Sequence, residues 1–535
     1  MTYKQIERFK VINKFLYCLT LTNKIYETIQ KSRNYCTFAF GRRFLQILFK
    51  ILLGLFNRYI TSFMDKDSCL KGEQLLHRKL DLLLRTGLIL MDSSADTSRV
   101  RRNMERTAAY LGLPEENLHI QIDYYMLTVN LSDEYHSYTK MKRCDKHGIN
   151  MEAIQEISKL TWRAIQEDYS LDKFEESLED IAHRKRHYSD WVVAICAGFA
   201  CGGFCIQFGC DWPAFFYCSI AAILGNRLRM YLNHLGSNSY ADIAISAFVS
   251  TLIAWASTFI SRPEVMAYLP ASLVPIFQTS TPWHPMLACA LYIVPGVPLI
   301  NSVNDLLDNH IETGLVRATN TLLMILAMAF GIAFAIKVCG IDSFVHNLSM
   351  TPHHSFGEFA LAAAISAMGF ATIFNTPPRL QYWIAIGGII AVCSRNFVNF
   401  GPSNGNIGLD LGLTIGTLAG ASIISIINIK AVHLLHTPHQ CITIPAVIPM
   451  VPGVLMYRAL YGFIGMTGVV GELTFAMHNA VMGSLTLMCI AIGVAIPNIF
   501  MRQWIAPNRK HKLQSLIEQR KENGKFVDLD DVSNL

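Results

Sequence analysis

The sequence predicts a polytopic α-helical membrane protein, with about ten transmembrane helices in two inverted five-helix repeats that follow a small α+β cytoplasmic domain. Three observations support this fold class. Of the 535 residues, 52% are hydrophobic and only 16% are charged, which is typical of a chain that lies largely in lipid. Ten apolar runs, each near the ~20 residues that a helix needs to cross a bilayer, follow residue 188. A proline–glycine motif occurs once in each half of these runs.

The ten apolar runs fall into two sets of five. They cover about 191–210, 213–232, 243–260, 284–303 and 315–337 in the first set, and about 358–375, 381–399, 407–428, 441–462 and 474–500 in the second. Because an odd number of spans inverts the next set, equivalent helices are expected to cross in opposite directions. The segment Pro263–Pro285 leaves two cases open. If it is a re-entrant segment, the inversion is preserved. If it spans the membrane, the inversion is lost.

The proline–glycine motifs lie in the fourth run of each set. Pro295 and Gly296 recur as Pro452 and Gly453, 452 − 295 = 157 residues later. Proline cannot donate a backbone hydrogen bond and glycine relaxes the backbone, so each motif predicts a broken helix. Paired interruptions in two halves indicate a transporter's substrate site. We therefore expect the two breaks to meet near the midplane and form a shared polar pocket; a kink used only for packing is the alternative.

Composition divides the chain into five segments. These are a basic and apolar extension (1–64), an α+β cytoplasmic domain (65–187), a first membrane half (188–340), a second membrane half (341–501) and a charged cytoplasmic tail (502–535). Within the α+β domain, periodicity predicts helices over 71–91, 98–111, 151–168 and 171–182, with β structure over 118–131 and 136–141. The extension is compatible with an interfacial helix, a poor membrane span, or residues upstream of a true start at Met64.

Positive charge sets the predicted orientation. The basic cluster His183–His187 directly precedes Trp191, and a basic tail follows the last run. Lysine and arginine favour the cytoplasmic side, so both termini are predicted inside, with the chain in the cell (inner) membrane. Further basic residues fall at predicted inner ends: Arg227, Arg229, Arg317, Arg379 and Lys430. The net charge is +6, and the basic residues cluster beside apolar runs, which fits a membrane surface rather than nucleic acid.

Several classes of function lack their motifs in this sequence. The glycine-rich stretch Gly401–Gly408 has no Lys-Ser/Thr ending, so no ATP site is predicted and transport is secondary or passive. The 14 cysteines include no Cys-x-x-Cys, and neither a disulfide framework nor a metal site is predicted. No hydrolase or zinc-protease motif occurs, so the chain is not predicted to be an enzyme and no cofactor is expected.

Asn301 and Asp305 follow the first motif and share one face of a helix, because they lie four residues apart. An ionisable group at membrane depth is a functional candidate, so Asp305 is the predicted proton carrier and Asn301 a substrate contact. Two alternatives stay open. Asp305 at a cytoplasmic helix end would only meet headgroups or cap a turn. Independently, Asn301 is suited to bridge neighbouring helices.

Two further groups complete the predicted site. Arg458 follows the second motif and suits a substrate carboxylate, although snorkelling to the outer end explains it equally well; Tyr457 is more typical of an interface aromatic. Asn226 beside Arg227, and Asn396 beside Arg395 in the matching span, are placed to line a shared pathway, with a positive-inside anchor as the alternative for Arg227. The predicted substrate-binding residues are Pro295, Gly296, Asn301, Asp305, Pro452, Gly453, Tyr457, Arg458, Asn226 and Asn396.

These motifs resemble the threonine/serine exporter family, in its form with both membrane halves on one chain. Val294–Asn301 with Asp305 is similar to the family's first-half signature, and Ile444–Arg458 is similar to its second-half signature. The resemblance covers roughly residues 75–500 and includes the cytoplasmic domain through Leu82–Gly87 and Ala95–Val100. The chain departs from the family where Asp96 and Arg101 replace the usual glutamates.

The resemblance implies a function. Known members export threonine and serine with the proton gradient, and a split-chain relative is associated with succinate export. We therefore predict a secondary exporter of a small polar metabolite, most simply threonine or serine, with protons and the lipid bilayer as further partners. A dicarboxylate exporter and a passive channel of the same architecture are alternatives. An enzymatic α+β domain with a membrane anchor is a third class, but ten spans exceed what an anchor needs. A homo-oligomer, and a gating or sensing role for the α+β domain, stay open.

Overall fold

The computed structural model describes residues 72–132, 136–341, 354–402, 407–464, 470–505 and 507–523. The extension predicted for 1–64 lies outside the described residues. From Leu76 onward the chain forms one compact unit. Within this unit, Thr97 and Arg99 of the α+β region (residues 72–183) contact Asp305 and Gln440 in the apolar part of the chain.

Two helices, three strands and two further helices follow one another in the α+β region, in the order that the periodicity predicts. They are α1 Gly72–Asp92, α2 Thr97–Leu111, β1 Leu118–Ile122, β2 Met126–Ser132, β3 Ser137–Arg143, α3 Met151–Gln166 and α4 Leu171–His183. The strands form an antiparallel sheet in the order β1–β2–β3. The predicted β stretch over 118–131 is two strands, because the chain reverses between Asp123 and Met126, where the Asp123 N–H donates to the Met126 carbonyl at 2.9 Å.

The sheet packs against α1 through its alternating apolar face. Leu127, Val129 and Leu131 point to one side of β2 and are fully buried. Gly87 on α1 lies directly above them, since an added Cβ would be 2.5 Å from Leu127 Cδ2. The period-two pattern of the strand and the close approach of α1 thus build the core of this region.

Helical segments occur in each of the ten predicted apolar runs. In chain order they are α5 Asp190–Gln207, α6 Trp212–His234, α7 Ser239–Thr258, α8 His284–Ala288, α9 Gly296–Leu307, α10 Ile311–Val338, α11 Phe356–Ile373, α12 Gln381–Asn399, α13 Leu413–Leu435, α14 His439–Val447, α15 Gly453–Ile464 and α16 Val470–Ile505, followed by α17 Pro507–Glu522. A 3-10 turn connects α8 to α9 at Leu291–Ile293, and another connects α14 to α15 at Ile448–Met450. The fourth run of each set is therefore broken, as the proline–glycine motifs predict.

Six helices are long and apolar enough to cross a membrane. Within the described residues these are α5, α7, α10, α11, α13 and α16, and the α8–α9 pair, bent by 61°, raises the number to seven at most. The protein is therefore a multi-pass membrane protein, although ten crossings go beyond this finding. Two of the remaining runs, α6 and α12, carry polar residues within the helix, Asn226 with Arg227 and Arg395 with Asn396, which lower their mean hydropathy.

The segment between α7 and α8, which the structure describes throughout, contains no long helix. It forms two four-residue helices, Pro263–Met266 and Val274–Phe277, joined by turns, and Tyr268 between them is 93% exposed. Four helical residues rise only ~6 Å, far less than the thickness of a bilayer. Neither short helix adds a membrane span.

Helices α5 and α11 pack against each other in antiparallel directions. An added Cβ on Gly203 would lie 2.7 Å from the Ala362 carbonyl oxygen, and one on Gly369 would lie 2.5 Å from the Cys196 carbonyl oxygen. The spacing is the same in both pairs, since 369 − 203 = 166 and 362 − 196 = 166. One contact is thus made twice, as at an interface related by a two-fold axis. Only glycine allows the two backbones to approach this closely.

Candidate functional site

Both proline–glycine motifs fold into the same kind of turn. Pro295 has φ −79° and ψ 62°, and the N–H of Gly296 donates to the Val294 carbonyl at 2.8 Å. The N–H of Gly453 donates to the Val451 carbonyl, also at 2.8 Å. A hydrogen bond to the carbonyl two residues back defines a γ-turn, and the angles at Pro295 are those of the inverse form. Each broken helix resumes directly after this turn.

The two breaks contact each other reciprocally. An added Cβ on Gly296 would lie 2.6 Å from Ile448 Cδ1, and one on Gly453 would lie 2.8 Å from Leu291 Cδ2. Both pairs share the repeat spacing, since 453 − 296 = 157 and 448 − 291 = 157. The start of α9 therefore packs on the turn before α15, and the start of α15 packs on the turn before α9.

The cavity between the breaks is small and apolar. Its volume is about 10 Å³, enough for about one water molecule. It is lined by Phe204, Leu291, Val294, Gly296, Phe370, Ile448, Val451 and Gly453. Among the described residues, the expected polar pocket is therefore not found at the crossing. The reason is that the polar residues follow Gly296 by five positions (Asn301) and nine positions (Asp305), which places them farther along α9.

Asn301 and Asp305 instead meet the α+β region. Asp305 is 1% exposed, and its Oδ1 accepts a hydrogen bond from the Thr97 N–H at 2.9 Å. Its Oδ2 lies 3.2 Å from Nε of Arg317 on α10. Asn301 Nδ2 donates to the Ser94 carbonyl at 2.8 Å. Both predicted residues thus contact the segment of residues 94–97, which leads into α2.

Further contacts hold the segment 94–97 against the membrane helices. Arg317 donates to the Ala95 carbonyl at 3.3 Å, and Ser98 Oγ donates to Asp308 Oδ2 at 2.5 Å. Asp305 also lies at the N-terminus of α2, where the helix dipole favours a negative charge. The C-terminal end of α9 is therefore covered by the α+β region.

Two buried acceptors beside Asp305 have no donor among the described residues. They are Asn301 Oδ1 and Asn304 Oδ1, neither of which accepts a hydrogen bond within that part of the chain. Asn301 and Asn304 are 2% and 6% exposed, so water does not readily satisfy them. Unused acceptors next to a carboxylate suit a positively charged donor, such as an ammonium group.

A second contact connects α2 to the other broken helix. Asp96 caps α2 by accepting the Arg99 N–H at 2.9 Å, and Arg99 Nε reaches Oε1 of Gln440 on α14 at 2.7 Å. Burial raises the pKa of Asp96, but Arg99 and Arg102 lower it more, so the pKa lies below its ordinary value. The carboxylate is therefore charged at neutral pH. Aspartate is a preferred N-cap, which accounts for this residue in place of glutamate.

The other predicted site residues lie apart from this cluster. Asn226 and Asn396 are buried in α6 and α12, and Asn396 Oδ1 accepts from Arg395 Nε at 3.0 Å. Arg458 is partly buried on α15 and is the counterpart of Asn301, since 458 − 301 = 157. Tyr457 is also on α15, but its side chain lies outside the described part of the structure.

Sequence reasoning missed Arg317, the segment 94–97 and Gln440 as members of this cluster. The position of Arg317 along the chain predicts only a basic residue at an inner helix end. A usable signal was present in Ala95–Val100, where short polar residues separate two amphipathic helices. The partner of that segment lies about 200 residues away and leaves no local signal.

Two sequence-family profiles match the chain. One, described as putative threonine/serine exporter, matches residues 81–339; the other, described as threonine/serine exporter, ThrE, matches residues 359–500. The first match covers the α+β region as well as the first broken helix, and the second covers the other broken helix.

Curated relatives carry two kinds of name. The probable succinate transporter subunit YjjP of Klebsiella aerogenes is 27% identical over 49% of this chain and 93% of its own length. The Escherichia coli protein of the same name is 26% identical over 49% of this chain and 96% of its own length. A probable threonine/serine exporter of Mycobacterium tuberculosis is 20% identical over 72% of this chain and 70% of its own length. No solved structure matches the chain.

The two profile matches together take in both breaks, the apolar helices around them and the α+β region that covers α9. Since both halves of this arrangement match profiles of one family of membrane transporters, the chain belongs to the threonine/serine exporter family.

Proposed function

We propose that the protein is a secondary exporter of a small polar metabolite that carries a carboxylate, with threonine or serine as the first candidates and the proton gradient as the driving force. The reciprocal contact between the two breaks carries this proposal, with Gly296 on Ile448 and Gly453 on Leu291. In secondary transporters, broken helices from two repeats meet at the substrate pathway, and one repeat moves against the other.

The proposal includes two inverted repeats of five helical segments each. It is supported by the antiparallel packing of α5 and α11, which occupy the same place in each half. It is also supported at the α+β region, where α9 ends with Asp305 against Thr97 but α14 begins with Gln440 against Arg99. Equivalent broken helices thus approach one region from opposite ends, which is what inversion requires.

Transport requires the crossing to open. A cavity with room for about one water cannot hold an amino acid, so the described conformation is closed between the breaks. The turns at Pro295 and Pro452 lie between rigid helices and are suited to act as hinges. Access from the α+β side also requires the segment 94–97 to release Asn301 and Asp305.

Asp305 is the group that couples protons in this proposal. Protonation removes its charge, which weakens the ion pair with Arg317 and the hydrogen bond from Thr97. Proton binding therefore favours release of the segment 94–97, and deprotonation favours its return. One carboxylate then links proton occupancy to the opening of one side.

A dicarboxylate is the second candidate substrate. Two similar proteins are named as succinate transporter subunits, and the arginine side chains on α12 and α15 suit one carboxylate as well as another. A passive channel of the same architecture is the alternative mechanism. The two differ because only an exporter moves its substrate against a concentration gradient.

Purified full-length protein in liposomes tests the proposal. The vesicles are loaded with labelled threonine, serine or succinate, and a pH gradient is imposed. We expect one of these solutes to move against its concentration gradient, and a protonophore to abolish this movement. Equilibration that ignores the pH gradient would establish a channel, and no flux of any of the three solutes would reject the substrate class.

Two matched variants test the coupling group. Asp305→Asn should retain downhill exchange of substrate but lose uphill transport, because the amide cannot carry a proton. Asp308→Asn, which alters an exposed partner of Ser98, should retain both. Uphill transport by Asp305→Asn at the wild-type rate would show that protons couple elsewhere.

A further inference from the structure

Arg395 is a buried cation that has no carboxylate partner among the residues that the structure describes. Its side chain is 9% exposed, and its Nε donates to the neighbouring Asn396 Oδ1 at 3.0 Å. No aspartate or glutamate of the described ranges lies within ion-pair distance of its guanidinium. Burying an unpaired charge is costly, so such residues in membrane proteins usually face a polar pathway or bind a ligand.

Asn396 adds a second unused donor at the same place. The residue is fully buried, its Oδ1 is occupied by Arg395, and its Nδ2 has no partner among the described residues. The unused capacity of this pair therefore consists of donors, which is what an anion requires. A buried donor that stays unsatisfied costs about 1–3 kcal/mol, so a bound acceptor would relieve both residues.

The first half handles its equivalent charge differently. Arg229 precedes Arg395 by 395 − 229 = 166 residues, the spacing that also relates Gly203 to Gly369. Arg229 is less deeply buried than Arg395, and Asp242 on the neighbouring helix α7 contributes to its electrostatic environment without lying within ion-pair distance. The neighbour of Arg395 on α13 is instead Gly416, where an added Cβ would lie 2.6 Å from the Arg395 carbonyl oxygen. In the described part of the chain, the second half thus keeps the arginine but has no such carboxylate near it.

The backbone of Arg395 lies close to the second break. Gly420 separates them, because an added Cβ there would lie 3.3 Å from the Arg395 backbone nitrogen and 3.2 Å from Met450 Sδ. Met450 ends the 3-10 turn that precedes Pro452. One helix position on α13 therefore packs against both the Arg395 backbone and the turn before Pro452.

We propose that Arg395 and Asn396 form a carboxylate-binding subsite of the second half, in which a substrate carboxylate accepts hydrogen bonds from the donors that the described residues leave unused. Arginine binds a carboxylate with two parallel hydrogen bonds, and Asn396 Nδ2 supplies a third. The subsite rests on the proposed function for its ligand, but carboxylate binding is measurable without transport.

Thermal unfolding of the purified full-length protein in detergent tests the subsite. L-threonine and succinate are the carboxylate probes, threonine amide is the control that lacks the carboxylate, and phosphatidylglycerol tests whether a lipid phosphate is the true anion. We expect a carboxylate probe to raise the melting temperature of the wild-type protein, because a ligand that binds only the folded state stabilises it. Threonine amide and the lipid should leave it unchanged.

The variants Arg395→Gln and Arg229→Gln distinguish a binding role from a structural one. Arg395→Gln should weaken carboxylate binding about tenfold or more, while the protein without ligand melts at the same or a higher temperature, since an unpaired buried charge has been removed. Arg229→Gln, at the matching position of the first half, should leave carboxylate binding unchanged. Asn396→Ala should weaken binding to a smaller extent.

Several outcomes would overturn the subsite. A lower melting temperature of ligand-free Arg395→Gln with carboxylate binding intact would assign Arg395 a structural role. Stabilisation by phosphatidylglycerol alone would assign it to a lipid headgroup. Carboxylate binding that depends on Arg395, in a protein that transports nothing, would support the subsite and reject the proposed exporter, so the two failures are distinguishable.

Discussion

Arg317 connects the α+β region to the first broken helix through several contacts at once. Its guanidinium pairs with Asp305 and donates to the Ala95 carbonyl, and it lies 5.7 Å from the ring centroid of Tyr124. All of these contacts are buried, so they are stronger than they would be at a surface. The arginine therefore holds α9, α10 and the segment 94–97 in one arrangement.

Replacing Arg317 with methionine tests this role. Arg317→Met leaves the Asp305 carboxylate buried without its ion-pair partner, and we expect a loss of stability of about 3–5 kcal/mol. The double variant with Asp305→Asn should recover part of this loss, because no unpaired charge remains. Thermal unfolding of the four proteins of this cycle measures the coupling. Additive effects of the two substitutions would show that the pair contributes nothing.

His147 makes the stability of the structure around Tyr124 and Arg317 sensitive to acid. Its ring stacks on Tyr124 with 4.1 Å between centroids, and its Nδ1 lies 3.9 Å from Cys144 Sγ. Burial lowers the pKa of His147 to about 4, and Arg317 also lowers it, while Asp145 acts in the opposite direction. The folded protein therefore keeps this ring neutral at pH values where the unfolded chain protonates it.

The predicted stability consequently falls as the pH is lowered from about 6.5 towards about 4, since the unfolded state binds the proton and the folded state does not. Melting temperatures of the wild type and His147→Gln, measured from about pH 7.5 down to about pH 5, check the sign. On acidification we expect the melting temperature of the wild type to fall more than that of His147→Gln. A wild-type protein that gains stability relative to His147→Gln in this range would contradict the buried neutral ring.

At the scale of elements, the two breaks behave as one unit. Each helix restarts after a turn in which glycine donates to the second preceding carbonyl, and each restart packs on the turn of the other half. A change at one break is therefore transmitted to the other. The contact consists of a glycine on one side and a branched aliphatic side chain on the other, which leaves little free space.

Gly296→Ala should hinder movement at this crossing. The new Cβ would lie 2.6 Å from Ile448 Cδ1, the flexible end of a side chain, so a small shift accommodates it at a cost of about 1–3 kcal/mol. We expect transport to fall, and Gly296→Ala combined with Ile448→Val to recover it. Gly471→Ala is the control, because no atom of the described residues lies within 4 Å of the added Cβ. Loss of transport that Ile448→Val does not relieve would place the effect outside this contact.

At the scale of the whole molecule, the α+β region is part of the helical assembly. Its second helix reaches both broken helices, through Thr97 to Asp305 on α9 and through Arg99 to Gln440 on α14. Its third helix adds a contact, in which the Met151 N–H donates to the Phe374 carbonyl at 2.9 Å. A region that contacts both halves is placed to sense or limit their relative movement.

Joining the α+β region to α9 should stop transport. Ser98 and Asp308 make direct side-chain contact, so the pair Ser98→Cys and Asp308→Cys is suited to a short thiol cross-linker. We expect the cross-linked protein to bind substrate but transport none, and the uncross-linked double variant to transport normally. Transport that continues after complete cross-linking would show that the segment 94–97 need not move. The single variant Ser98→Cys, treated in the same way, controls for modification of native cysteines.

Much of the fold could be predicted from the sequence. The helices and strands of the α+β region follow from their apolar periodicity, because period 3.6 and period 2 are properties of local sequence. The two broken helices follow from proline and glycine for the same reason. The chemical character of the crossing could not be predicted, since it depends on which side of each turn faces the other half.

By itself, the sequence determined the apolar helices, the doubled break and the family signatures, because each depends on residues that are close together along the chain. The tertiary structure decided which partners the polar residues meet. Asp305 is paired by Arg317 and by a segment about 200 residues away, while Arg395 has no acidic partner within the described residues. Buried charges need partners, and only the folded chain determines whether the protein itself supplies them.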